Sequence, residues 1–118
     1  MNTRALGALG EDAACAHLAA NGYAILARNL RLGRGELDIV ARKGDVTVFV
    51  EVKSRRNARF GAPAEAVTPL KRRRILDAAA CYAAQNGLWE TKLRFDVIEL
   101  LDGDVRHIES AFDASDFV

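Results

Sequence analysis

Two acids and an amine stand close together in this sequence. Asp38 lies in Glu36-Leu37-Asp38-Ile39-Val40, and Glu51 and Lys53 lie in Val48-Phe49-Val50-Glu51-Val52-Lys53. The two segments flank Gly44-Asp45, a dipeptide suited to a two-residue hairpin turn. With that turn Lys43 faces Val46, which puts Asp38 opposite Glu51 and Glu36 opposite Lys53. All four side chains then share one face, with opposed Cβ atoms about 4.5–5.5 Å apart. Directly opposed carboxylates repel, and a divalent cation removes the conflict. Hard oxygen ligands from two strands, with positions left for water and phosphate oxygens, describe a Mg²⁺ site. Lys53 beside such a cation would orient or deprotonate an attacking water, or stabilise charge building on phosphorus. The bland alternative is a half-exposed hairpin laced by ion pairs such as Glu36–Lys53.

The chain that must position these groups has 118 residues, a formal charge of +1, and half of its residues hydrophobic. This length suits one domain, 1–118, around a single core, and the apolar content excludes a disordered chain. No run of about 18 apolar residues is present, which excludes a membrane-spanning helix. Cys15 and Cys81 sit in Ala-rich stretches and are too few for a disulfide framework or a zinc site. They are expected to pack as small hydrophobes in a reducing cytoplasm. The near-zero net charge conceals an asymmetry. Arg28–Arg74 holds thirteen Lys/Arg against five Asp/Glu, whereas Phe95–Val118 holds one against seven. A basic belt in the middle of one small domain suits a polyanion, although solvated loop charge would look the same.

Hydrophobic periodicity predicts a helix over Thr3–Asn21 that stops at Asn21-Gly22. Leu6, Leu9, Ala13, Ala16 and Ala20 form one stripe, and Gly7, Ala14 and Leu18 surround Glu11 on the other side. A helix apolar on both sides is expected to be buried, an unusual place for an acid. Strands are expected over Tyr23–Asn29, Glu36–Arg42 and Val46–Ser54, with a Gly-punctuated loop after the first. Thr68-Pro69 offers a capping hydroxyl and a proline for the start of a helix that runs to about Asn86 and stops at Gly87. Lys92–Leu101 and Val105–Ile108 read as two more strands around an Asp-Gly-Asp turn. The order α-β-β-β-α-β-β packs most simply as an α/β fold, one mixed sheet with helices on its faces.

Gly35-Glu36-Leu37-Asp38-Ile39-Val40 followed by Val48-Phe49-Val50-Glu51-Val52-Lys53-Ser54-Arg55 resembles the YraN-like family of small bacterial proteins. That family is similar to the PD-(D/E)XK nuclease superfamily, with a restriction-endonuclease-like sheet close in shape to Holliday junction resolvases. The resemblance extends to Gly10-Glu11, Asn21-Gly22-Tyr23, Arg28-Asn29, Gly61-Ala62-Pro63, Glu65-Ala66-Val67, Lys71 and Arg94-Phe95-Asp96-Val97. It implies that Asp38, Glu51 and the carbonyl of Val52 hold one or two Mg²⁺ or Mn²⁺ ions, that Lys53 assists the nucleophile, and that Glu11 joins the metal site. Leu37 stands where the superfamily signature has proline. The implied activity is a metal-dependent DNA endonuclease acting on branched or otherwise irregular DNA. The alternative is a binding or adaptor module that keeps the fold with little turnover.

Arg55, Arg56 and Arg59 follow the metal strand and are candidates for DNA-backbone contacts, as are Arg34, Lys71 and Arg72. Lys71 shares a helix side with Ile75, Ala78 and Tyr82, so it either reaches the site or snorkels at the core's edge. His17 and His107 lack partners at metal or catalytic spacing and read as surface or edge residues. Asp96, in a strand that looks buried, is assigned to a neighbouring backbone group or arginine. Phe60 and Trp89 read as packing residues ahead of base-stacking ones. A small nuclease that cuts two strands would often pair, so a homodimer stays open.

Overall fold

A computed structural model describes residues 3–55, 67–88 and 91–113. The elements run α1 (Thr3–Ala20), β1 (Ala24–Leu32), β2 (Gly35–Lys43), β3 (Val46–Arg55), α2 (Pro69–Asn86), β4 (Lys92–Leu101) and β5 (Asp104–Phe112). This is the α-β-β-β-α-β-β order that the sequence predicts. The five strands lie in sequence order in one mixed sheet. β3 and β4 are parallel, and the other neighbours are antiparallel. Parallel neighbours need a long crossover, and α2 lies within it.

The central hairpin turns where its dipeptide says it should. Gly44 takes φ +61°, and Lys43 faces Val46. α2 begins and ends on its own signals. Thr68 Oγ1 accepts the Lys71 N–H at 3.2 Å, Pro69 occupies the first turn, and Gly87 closes the C-terminus at φ +64°.

The strands separate two apolar layers. Ala14, Leu18, Ile39, Ala41, Val48, Val50 and Ile98 pack under α1, while Val40, Phe49, Ile75, Ala78, Phe95 and Val97 pack under α2. Each fully buried leucine or phenylalanine contributes about 1.5–3 kcal/mol.

Two details depart from the sequence reading. Of α1's two apolar sides, Ala14 and Leu18 are fully buried, whereas Leu9 is 54 % exposed and Ala13, Ala16 and Ala20 are exposed. Among the described side chains of α1, from Leu9 onward, the helix is therefore buried on one side only. Gly10 explains the choice: a Cβ there would lie 2.4 Å from Ser54 Oγ and 3.2 Å from Leu100, so only a bare backbone approaches the sheet this closely. β1 also runs three residues past Asn29, because Leu30 and Leu32 pack against the α2 layer and keep the strand paired to its tip.

Candidate functional site

The site forms where β2 leaves β3. Ladder pairing follows the expected register from Lys43–Val46 to Ile39–Val50 and stops there. Asp38 and Glu51 are next in line, but the Asp38 carboxylate instead accepts the Val52 backbone N–H at 2.9 Å. Across the sheet on β1, Asn29 takes φ +50°, a conformation asparagine tolerates better than most residues. Around this kink the alternation breaks: Leu37 packs under α2, while Ile39, two residues on, packs under α1. The expected Glu36–Lys53 pairing is corrected accordingly, since the β2–β3 ladder ends at Ile39–Val50, while on its other side Glu36 pairs with Arg31 of β1.

Glu51 lies on the α2 face of β3 with only 3 % of its side chain exposed. Lys71 Nζ, from the first turn of α2, sits 2.5 Å from Glu51 Oε1, and Lys53 Nζ sits 3.7 Å from it. Burial pushes the Glu51 carboxyl up to about 7, the Asp38 charge adds to the rise, and the two lysines pull against it. Lys53 is shifted down, chiefly by burial and then by the second ammonium. Burial also works against charged Lys71, but its bond to Glu51 outweighs that and leaves it raised. Two amines thus share one buried acid, and the one less favoured as a cation is Lys53.

Glu11 approaches from α1. Burial raises its carboxyl, the Asp38 charge raises it further, and a bond from Asn29 partly offsets both. Its Oε1 is buried without a hydrogen-bond partner among the described residues. Asp38 therefore feels an acid from either helix face, Glu11 on one side and Glu51 on the other.

An orphaned buried oxygen and mutually repelling carboxylates fit a hard divalent cation, which prefers oxygen donors and relieves both defects. As they stand, no three His, Cys, Asp or Glu side chains are gathered closely enough to hold a metal among the described residues. Lys71 supplies the positive charge at Glu51.

Beside these groups opens a cleft of about 620 Å³. Glu36, Asp38, Glu51 and Lys71 line it together with Arg31, Arg34 and Arg74. Its shape depends on Gly35, where a Cβ would lie 2.0 Å from the Arg74 carbonyl oxygen, so the β1–β2 turn rests directly on the α2 backbone.

Of the expected DNA contacts, Arg34 and Lys71 reach the cleft. Arg72 turns away, donating to the Val67 carbonyl at 3.0 Å and covering the Phe112 ring at 5.5 Å. The side chain of Arg55, together with Arg56, Arg59, Phe60 and Trp89, lies outside the described residues. Arg31, Arg74 and Asn29 were not among the expected site residues. Signals for the first two exist in the sequence: Arg74 lies three residues from Lys71 on one helix face, and Arg31 sits just before the Gly-Arg-Gly turn.

Asp96 occupies the opposite face of the sheet, fully buried. It accepts two bonds from Arg94 at 2.8 and 2.9 Å, one from His107 at 2.7 Å, and one from the Ser110 N–H at 3.0 Å. The backbone and arginine partners match the sequence reading. The histidines do not. His17 Nε2 lies 3.2 Å from His107 Nδ1, and Arg94 donates to Tyr23 Oη at 2.6 Å. The His17–His107–Asp96 hydrogen bonds form a chain that ties the end of α1 to β5.

The profile described as Uncharacterised protein family UPF0102 matches residues 10–100. A UPF0102 protein of Symbiobacterium thermophilum is 46 % identical over 117 residues, which cover 95 % of this chain and 99 % of the relative. The chain belongs to the UPF0102 family. A UPF0102 protein of Clostridioides difficile is 46 % identical over 114 residues (95 % of this chain, 100 % of its own), and one of Anaeromyxobacter dehalogenans is 48 % identical over 114 residues (93 % and 85 %). The UPF0102 match takes in Glu11, Asp38, Glu51, Lys53 and Lys71 and stops before β5. No helix among the described residues is long and apolar enough to cross a membrane.

Proposed function

We propose that this UPF0102 protein is a metal-dependent nuclease of the PD-(D/E)XK type that hydrolyses phosphodiester bonds in DNA, with branched or irregular structures as its substrates. The observation that carries the reading is Glu51. It is a carboxylate 3 % exposed, beside Asp38, with Lys53 and Lys71 at 3.7 and 2.5 Å, and it lines an arginine-bordered cleft. A site built for stability would not bury an acid next to another acid.

Asp38, Glu51, the Val52 carbonyl and Glu11 are the groups that would hold Mg²⁺ or Mn²⁺. When bound, such an ion supplies Lewis acidity at phosphorus and lowers the pKa of bound water. Lys53, half-buried and shifted down, is suited to hold a water and to take its proton. Arg31, Arg34 and Arg74 lie where they would neutralise backbone phosphates without reading bases, so sequence preference should be weak. The restriction-endonuclease-like fold, the DNA partner, the homodimer and the cytoplasmic location belong to the same proposal.

One observation favours the second reading, a binding or adaptor module of low turnover: Lys71 already balances the Glu51 charge. Incubation of purified protein with Mn²⁺ and a branched DNA separates the two. The nuclease reading expects cleavage that falls by about 10²-fold or more in Glu51→Gln and in Lys53→Ala. Intact DNA with tight, salt-sensitive binding refutes it.

A further inference from the structure

We propose that Lys71 is a resident counter-ion that a divalent cation must displace from Glu51, and that a phosphate of the polyanion receives the displaced ammonium. Metal and polyanion would then bind cooperatively. The inference rests on the metal-dependent reading above and concerns how that site is loaded.

The geometry favours exchange. Lys71 Nζ is 2.5 Å from Glu51 Oε1. A hard cation would need that same buried carboxylate at about 2.0–2.6 Å, and it would add a third positive charge to a pocket where two ammoniums already crowd Glu51. Moving one ammonium out relieves that repulsion. Of the two lysines at Glu51, Lys71 is the one free to move. Its side chain is 43 % exposed and lines the cleft, whereas that of Lys53 is 23 % exposed and rises from a strand in the middle of the sheet.

The destination is set by the surroundings. A lysine stem pivoting out of the Glu51 pocket enters a cleft bordered by Arg31, Arg34 and Arg74, at the start of a helix with no acid in its first turn. A phosphate in the cleft would hold the ammonium there and relieve the crowding of like charges. Metal alone has to break the Glu51–Lys71 contact without compensation. With a phosphate present, the ammonium exchanges one anion for another. Coupling of this kind is reciprocal, so each ligand strengthens the other by the same factor.

Isothermal titration of Ca²⁺, at about pH 8.5 to limit competition from protons, tests the proposal. Wild type, Lys71→Met and Lys71→Arg are each titrated with and without a short single-stranded oligonucleotide. In wild type and Lys71→Arg the oligonucleotide should tighten Ca²⁺ binding by about tenfold, within the usual range for coupled sites. Lys71→Met should bind Ca²⁺ about tenfold more tightly than wild type without oligonucleotide and gain less than about twofold from adding it. Lys71→Gln replaces Lys71→Met if circular dichroism shows the latter unfolded. Equal or weaker Ca²⁺ binding in the neutral variants, or equal tightening by the oligonucleotide in all proteins, overturns the proposal. If that binding is nevertheless abolished by Glu51→Gln, the metal-dependent reading survives. Absence of Ca²⁺ binding in every protein overturns both.

Discussion

Glu51 and Asp96 are buried carboxylates on adjacent strands, and the sheet treats them in opposite ways. Asp96 is matched on all sides: burial alone would raise its carboxyl, but the bonds from His107, Arg94 and Ser110 outweigh burial and hold it below its usual value. Glu51 has two ammoniums near one oxygen and a second acid beside it, and it is pushed up to about 7. The first cluster is closed and knits α1, β4 and β5 together. The second opens on a cleft. A buried acid with its bonds filled holds a fold together, whereas one that the fold leaves in conflict is available for a ligand.

The contrast can be broken most forcefully at Asp96. Replacing it with alanine strands Arg94 and removes the acceptor of His107 and of the Ser110 N–H, so urea denaturation should show a loss of about 3–5 kcal/mol. A loss below about 1 kcal/mol would mean that the network is not structural.

Glu51→Gln should act in the other direction. Its folded pKa of about 7 lies above the ordinary carboxyl value of 4.5, so the folded state holds this proton more tightly than the unfolded one. The associated stability is complete below about pH 4.5 and is lost as pH rises through about 7. Glu51→Gln removes that loss and should be more stable than wild type by on the order of 2–3 kcal/mol above pH 7, with no gain at pH 4. Denaturation curves at the two pH values read the difference directly.

A smaller effect belongs to His17. Burial and then the neighbouring His107 hold it below the ordinary imidazole value of 6.5. The unfolded chain therefore takes up this proton first, and stability falls as pH drops below about 6.5. His17→Asn should flatten that slope at a cost of about 1 kcal/mol near neutrality, measured by the same titration. The His17 and Glu51 slopes oppose each other in weakly acidic solution, so each variant sharpens the reading of the other.

Much of the architecture is legible in the residues. Gly44-Asp45, Thr68-Pro69 and Gly87 act locally, through φ angles and caps, and they delimit the hairpin and α2 where expected. The register from Lys43–Val46 inward follows from turn length alone. Legibility ends where two comparable options compete. α1 has two apolar sides, and only the close approach at Gly10 selects the one that Leu18 shares. Lys71 could snorkel or reach inward, and the fold takes it inward. The His17–His107 contact joins residues ninety positions apart, which no local spacing reveals.

The sequence by itself determined the element order, the hairpin register and the presence of Asp38, Glu51 and Lys53 at neighbouring positions of two strands, because turns, caps and strand alternation are short-range. The tertiary structure decided that the ladder stops beside Asp38, that Glu11 approaches it from α1, and that Lys71 from α2 lies on Glu51. Those outcomes depend on desolvation and charge proximity, and both arise only when the two helices pack on opposite faces of the sheet.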